Sequence, residues 1–210
     1  VRNFATHDNR LPPGSLAQIN GPFSPTSGPV TVQVGGREAT VISREFTEVV
    51  IQIPVELTPG PTTVVVTSNG VRLDPHSITL EAYAPGLYVS QEYSSVGVFY
   101  RSPSSIRWPS LVECAHPAFP TSPPFGSVNE VLTVFATGLG ATSPPVPSGV
   151  AAPATPPASL VVTPAVTVAG RAAEVLRAVL APGLVGVYQV DFRLPSGIGD
   201  SFHPVVLTIA

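Results

Sequence analysis

A ten-residue pattern occurs twice in the chain, 134 positions apart. Val32-x-Val34-Gly35-Gly36-Arg37-x-Ala39-x-Val41 returns as Val166-x-Val168-Ala169-Gly170-Arg171-x-Ala173-x-Val175. Apolar residues alternating on both sides of a two-residue turn describe a β-hairpin. The first turn sets Val34 opposite Arg37, Val32 opposite Ala39 and Val30 opposite Val41, which gathers one apolar face. The second sets Val168 opposite Arg171 and Val166 opposite Ala173. The likeness extends outward from both hairpins: Ile51-Gln52-Ile53-Pro54 answers Phe192-Arg193-Leu194-Pro195, and residues 63–67 answer 204–208. Upstream, residues 15–23 (SLAQINGPF) answer 131–140 (VLTVFATGLG). Two copies of one β unit account for a 210-residue chain better than one large barrel.

The other segments fit the same reading. Residues 49–55 (VVIQIPV) and 62–67 (TTVVVT) read as strands, and Asn69-Gly70 as a tight turn into 71–73, with 77–80 closing the set. Short strands about ten residues apart, broken by Gly and Pro, suggest a sandwich. Residues 171–180 (RAAEVLRAVL) read alone as a short amphipathic helix, but their counterpart 37–46 (REATVISREF) is β-branched, so both are expected to be strands. The expected architecture is all-β: two tandem immunoglobulin-like β-sandwiches related by internal duplication. Residues 1–83 form the first, 84–126 a connecting segment, and 127–210 the second. Within the second, residues 141–159 hold six prolines and read as an extended surface loop inserted between strands.

Composition narrows the function. Ten arginines, no lysine and a net charge of −3 give no basic footprint, so neither nucleic acid nor an anionic membrane surface is an expected partner. No apolar run approaches the roughly 20 residues of a spanning helix, so membrane insertion is not expected. An apolar fraction of 43% with mean hydropathy +0.32 favours a packed core over disorder. A single cysteine, Cys114, leaves burial alone to hold the fold and reads as a small buried side chain. The sequence opens without a signal-peptide profile, as a processed or excised piece of a longer chain would.

Sites for chemistry are sparse in the sequence. It contains no G-x-S-x-G, S-x-x-K, H-E-x-x-H or C-x-x-C, and its four histidines (His7, His76, His116, His203) and four aspartates (Asp8, Asp74, Asp191, Asp200) are scattered. The expectation is therefore no enzyme, no metal and no cofactor. Gly138-Leu139-Gly140 reads as a turn, because the following Pro144-Pro145 cannot open an anion-binding helix. Arg37 and Arg171 read as solvated hairpin arginines. A catalytic cleft would require groups such as Ser110, Glu113 and His116 to converge.

One concentration of residues suggests a ligand. Tyr83, Tyr88, Tyr93, Phe99, Tyr100 and Trp108 are six of the chain's 15 aromatics. Aromatics on a β face stack on sugar rings, and Tyr88, Tyr93, Tyr100 and Trp108 are the candidate carbohydrate-binding residues. The competing role for this segment is to fill the seam between the halves.

The phrases PPGSLAQINGPF, VTVQVGGREATVI, IQIPVELTPGPTTVVVTSNG, APGLY, LTVFATGLG, VTVAGRAAEVLRAVLAPGLVGVYQVDFRLPSG and PVVLTIA occur in that order. In this order they resemble an uncharacterised domain found at the C-terminus of large secreted soil-bacterial proteins. Phe4 departs from that family's opening, and residues 101–125 depart from it most. Each half is also similar to immunoglobulin-like IPT/TIG modules. The resemblance implies a non-catalytic extracellular or cell-surface module, a spacer, adhesion or interaction domain of a larger secreted protein. Its partners would be the other domains of that protein or cell-surface components, with polysaccharide as the alternative.

Overall fold

The computed structural model describes residues 1–23, 28–88, 99–101, 129–198 and 205–209. Strands alone make up its regular structure, and no helix occurs among the described residues. The first half holds β1 (Arg2–Asn3), β2 (Leu16–Asn20), β3 (Val30–Val34), β4 (Arg37–Arg44), β5 (Glu48–Gln52), β6 (Gly60–Ser68), β7 (Val71–Arg72) and β8 (His76–Leu80). After it come β9 (Gly86–Leu87), β10 (Phe99–Arg101), β11 (Val131–Thr137), β12 (Thr142–Ser143), β13 (Ser159–Leu160), β14 (Ala165–Val168), β15 (Arg171–Leu180), β16 (Tyr188–Arg193) and β17 (Val205–Thr208).

Both hairpins adopt the register that alternation requires. Val32 faces Ala39 and Val34 faces Arg37, while Val166 faces Ala173 and Val168 faces Arg171. The turns carry positive φ at both central residues, Gly35 and Gly36 in one, Ala169 and Gly170 in the other. This is the primed geometry that matches strand twist. An added Cβ meets nothing within 4 Å at Gly36 or Gly170, so a substitution there is opposed by backbone strain alone. Gly170→Val should cost about 2 kcal/mol for that reason. Conversely, Ala169 already sits at φ 52°, and Ala169→Gly should stabilise the fold by about 1 kcal/mol. Urea unfolding of the two variants against the parent checks both signs.

Beyond the hairpins, each long strand leaves one layer for the other. Val30 does not reach Val41 as expected; it faces Ser68 on β6. From Thr40 onward β4 pairs with β5, with a bulge between Val41 and Ser43. The same break falls between Val175 and Arg177 of β15, again 134 positions on. A bulge bends and twists the strand that carries it, which lets β4 and β15 each serve two sheets. In the first half, one layer is then β1-β2-β5-β4 and the other β4-β3-β6, with β7 and β8 on the far side of β6. In the second, β11-β16-β15-β13-β12 forms one layer and β15-β14-β17 the other.

The duplication extends to individual partners. Val41 faces Ile51 as Val175 faces Phe192, and Val32 faces Val66 as Val166 faces Leu207. Separate cores fill the halves. Ala17, Ile19, Val32, Val34, Ile51, Ile53 and Val64 centre the first, and Val134, Leu139, Val166, Tyr188, Val190 and Phe192 the second. The β2 and β11 copies align one residue differently from the sequence reading. Leu16 meets Gln52 where Val131 meets Arg193, so Leu16 rather than Ser15 is the counterpart of Val131. Within residues 84–126, β9 and β10 both pair with β11 and so extend the second half's sheet.

Candidate functional site

Among the described residues, a seam between the halves and a groove at one edge of the first lie outside the cores. The seam arises because β5 and β11 are apolar on both faces. Val49 and Ile51 point into the first core, and Val50 between them points outward with Leu16 of β2. Val134 and Ala136 point into the second core, and Phe135 points outward. Leu16, Val50, Phe135, Ala181 and Val187 close on one another as a third buried cluster, edged by Phe4, Tyr88 and Leu184. A continuous apolar run, in place of alternation, marks a strand covered on both sides. The runs VVI at 49–51 and VFA at 134–136 carried that mark.

Polar groups reinforce the apolar seam. The Leu16 amide donates to Thr137 Oγ1 across 3.4 Å. The proline-rich loop, expected as a surface insertion and largely exposed, also reaches over to the first half. Its Gly149 amide donates to Gln52 Oε1 at 2.7 Å, and the Val55 amide donates to Ser148 Oγ at 2.9 Å. Ser148 Oγ donates in turn to Glu56 Oε2 at 2.8 Å, and its amide to Oε1 at 3.3 Å. The loop is held in its own half by the Ala152 amide, which donates to the Leu184 carbonyl at 2.9 Å, and by the buried side chains of Ala152 and Ala158. Proline limits the freedom such a segment loses on folding, so a long loop can still be fixed.

Glu56 titrates in this latch. Burial raises its pKa, but the bonds from Ser148, a bond from its own backbone amide and the charge of Arg37 together hold the carboxyl below its ordinary value of 4.5. A depressed folded pKa contributes stability above the unfolded value and loses it as pH falls through the folded one. The latch should therefore open on acidification below pH 4.5 and not between pH 5 and 8. Amide chemical shifts of Ser148 and Gly149 followed through an acid titration check this, and Glu56→Gln should flatten the response.

Of the four candidate aromatics, Tyr88 and Tyr100 lie among the described residues, both beside β11. Tyr88 stands beside the seam, its ring tilted at 59° to Phe4 with centroids 6.2 Å apart. Its amide donates to the Phe135 carbonyl, its hydroxyl is buried beside Thr137, and burial pushes that hydroxyl's pKa up. The polar tip that would meet a sugar is thus turned inward. Tyr100 lies in β10 opposite Thr133. Tyr93, Trp108, Ser110, Glu113, Cys114 and His116 lie outside the described residues. Arg37 and Arg171 are both exposed, as hairpin arginines should be.

The groove runs between the edge strands β1 and β8, where the first sandwich is open. Its volume is about 820 Å³, and Arg2, Asn9, Arg10, Thr62, His76 and Glu81 are among its lining. Arg10 and Glu81 bridge its rim at 2.9 Å, both largely exposed, and exposed pairs of this kind contribute little to stability. No Phe, Tyr or Trp side chain lines it. No cluster of three or more His, Cys, Asp or Glu side chains able to hold a metal occurs among the described residues. Nor does any helix among them have the length and apolarity to cross a membrane.

A scan of protein-family models finds no match to the chain, and a search of curated proteins finds none.

Proposed function

We propose that the chain is a non-catalytic, rigid double-sandwich module of a larger secreted or surface protein. In this reading each half is an immunoglobulin-like unit of the IPT/TIG kind. The module spaces or presents its neighbours, and its partners are those neighbouring domains or other cell-surface components. The observation that carries the reading is the seam. Two sandwiches joined only by a linker would move independently. Here Phe135, Val50 and Leu16 are buried between the halves, and the loop at Ser148 and Gly149 hydrogen-bonds across them. A stiff pair of sandwiches transmits position and force along its length, which suits a spacer.

The test is antibody labelling of intact producing cells. Labelling without permeabilisation is expected, and a signal seen only after permeabilisation would contradict an external location. Polysaccharide titration against the emission of Trp108, the sole tryptophan, separates the sugar-binding alternative. No quenching is expected, and saturable quenching would move the function to carbohydrate binding.

A further inference from the structure

Asparagine precedes glycine twice in the chain, at Asn20-Gly21 and at Asn69-Gly70. Asparagine is among the least durable side chains, and its amide carbon is open to attack by the next backbone nitrogen when a glycine there puts no side chain in the way. By sequence the two steps are equivalent, and the fold separates them. At Asn20 the reacting groups are engaged. Gly21 donates its amide to the Thr47 carbonyl at 2.9 Å, and a Cβ on Gly21 would lie 2.8 Å from the Phe23 ring. Asn20 ends β2 opposite Glu48, and its Oδ1 accepts from Gln18 Nε2 at 3.0 Å.

At Asn69 the same groups are idle. Asn69 and Gly70 form the two-residue turn between β6 and β7, both exposed, with φ 51° and 77°. Ser68 pairs with Val71 across the turn, and the Asn69 amide donates to the Pro29 carbonyl at 2.9 Å. Among the described residues no acceptor takes the Gly70 amide, and no bond holds the Asn69 side chain. A Cβ on Gly70 would meet nothing within 4 Å, so the nitrogen stands in open space. We propose that Asn69, and not Asn20, is a site of spontaneous deamidation, and that its conversion loosens β7 from β6.

The reaction consumes water alone. The Gly70 nitrogen gives up its proton to solvent, and its electron pair forms a bond to Cγ of Asn69. The Cγ–Nδ2 bond then breaks, and ammonia leaves with a proton returned by solvent, which closes a succinimide ring. Water opens that ring at either carbonyl. One opening gives aspartate, and the other gives isoaspartate, in which the main chain runs through Cβ and is longer by one methylene. A two-residue turn with positive φ at both central positions matches strand twist only at its ordinary length. The added methylene therefore disrupts the pairing of Ser68 with Val71 and the 2.8 Å bond from the Leu73 amide to the Val66 carbonyl. β8 is anchored separately, by pairs running from Gly60 with Leu80 to Val64 with His76, and keeps its place.

The test is incubation of the whole chain in mildly alkaline buffer, which speeds loss of the amide proton, followed by peptide mapping with fragmentation that separates isoaspartate from aspartate. In the folded chain Asn69 should convert about tenfold or more faster than Asn20, whose bonds must first open. In denaturing urea the two should convert at similar rates. Absence of conversion at Asn69 in the folded chain, equal conversion at both sites, or the same preference in urea would overturn the proposal. Amide hydrogen exchange reads the consequence. In the isolated isoaspartate fraction the Leu73 amide should exchange about tenfold or more faster than in the parent, with the amides of β8 unchanged. Freshly prepared Asn69→Asp, which carries the charge without the added methylene, should exchange as the parent does. Unchanged exchange at Leu73 in the isoaspartate fraction, or equal loosening in Asn69→Asp, would also overturn the proposal. Deamidation depends on the turn between β6 and β7 and not on the seam or on location outside the cell, so it fails separately from the module reading.

Discussion

Gly138→Val should leave little folded protein. Gly138 sits at φ 74°, where a β-branched side chain is strained by roughly 1–3 kcal/mol. Space is the larger obstacle. A Cβ there would overlap the carbonyl oxygen of Ala84 and lie 2.8 Å from its carbon, and both atoms are backbone. Neither can turn aside, because the Ala84 amide is itself bonded to the Gly138 carbonyl at 3.1 Å. The chain crosses here from the first half into β9, which is paired to β11 at Ala136 and Thr137. Relief would require peeling β9 from the sheet and moving the seam residues that follow it. Expression with circular dichroism is the check: native-like melting of Gly138→Val would show that the crossing at Ala84 is looser than described. Gly138→Ala separates the two costs, since it adds the overlap without β-branching and should still destabilise strongly.

Phe192→Ala should cost about 3–5 kcal/mol, the range for emptying the site of a fully buried phenylalanine. Phe192 is fully buried on β16, opposite Leu132 and Val175. The duplicate position, Ile51, is equally buried. Ile51→Ala removes fewer atoms from the same place in the other half and should cost less, about 2–4 kcal/mol. Both variants should lower a single unfolding transition, because the seam makes each half a support for the other. Two resolved transitions, one shifted by each variant, would show that the halves unfold independently.

The hairpin register was legible because a two-residue turn and period-two alternation leave no freedom: Val32 opposite Ala39 and Val166 opposite Ala173 follow directly. The strand character of residues 171–180 was legible only through the repeat, since their helix propensity argues the other way. The departure of β4 from β3 was not legible. Thr40 and Val41 continue the alternation, and nothing local marks the bulge that exposes Ile42 in one half and Leu176 in the other. The role of the proline-rich loop was hidden for a different reason. Ser148 and Gly149 act through hydrogen bonds to Glu56 and Gln52 some 90 residues away, and no spacing rule reaches that far. Of the four candidate aromatics, Tyr88 stands at the seam with its hydroxyl inward, which its tyrosine identity alone could not reveal.

Two copies of one strand unit are joined through the seam into a single body. Residual dipolar couplings of backbone amides, measured in one aligned sample and fitted separately for residues 30–68 and 131–193, test it directly. One alignment tensor, equal in size and direction for both halves, is the expected result. Two tensors of different magnitude would mean that the sandwiches reorient independently, and the seam at Phe135 and Val50 would not hold them in solution.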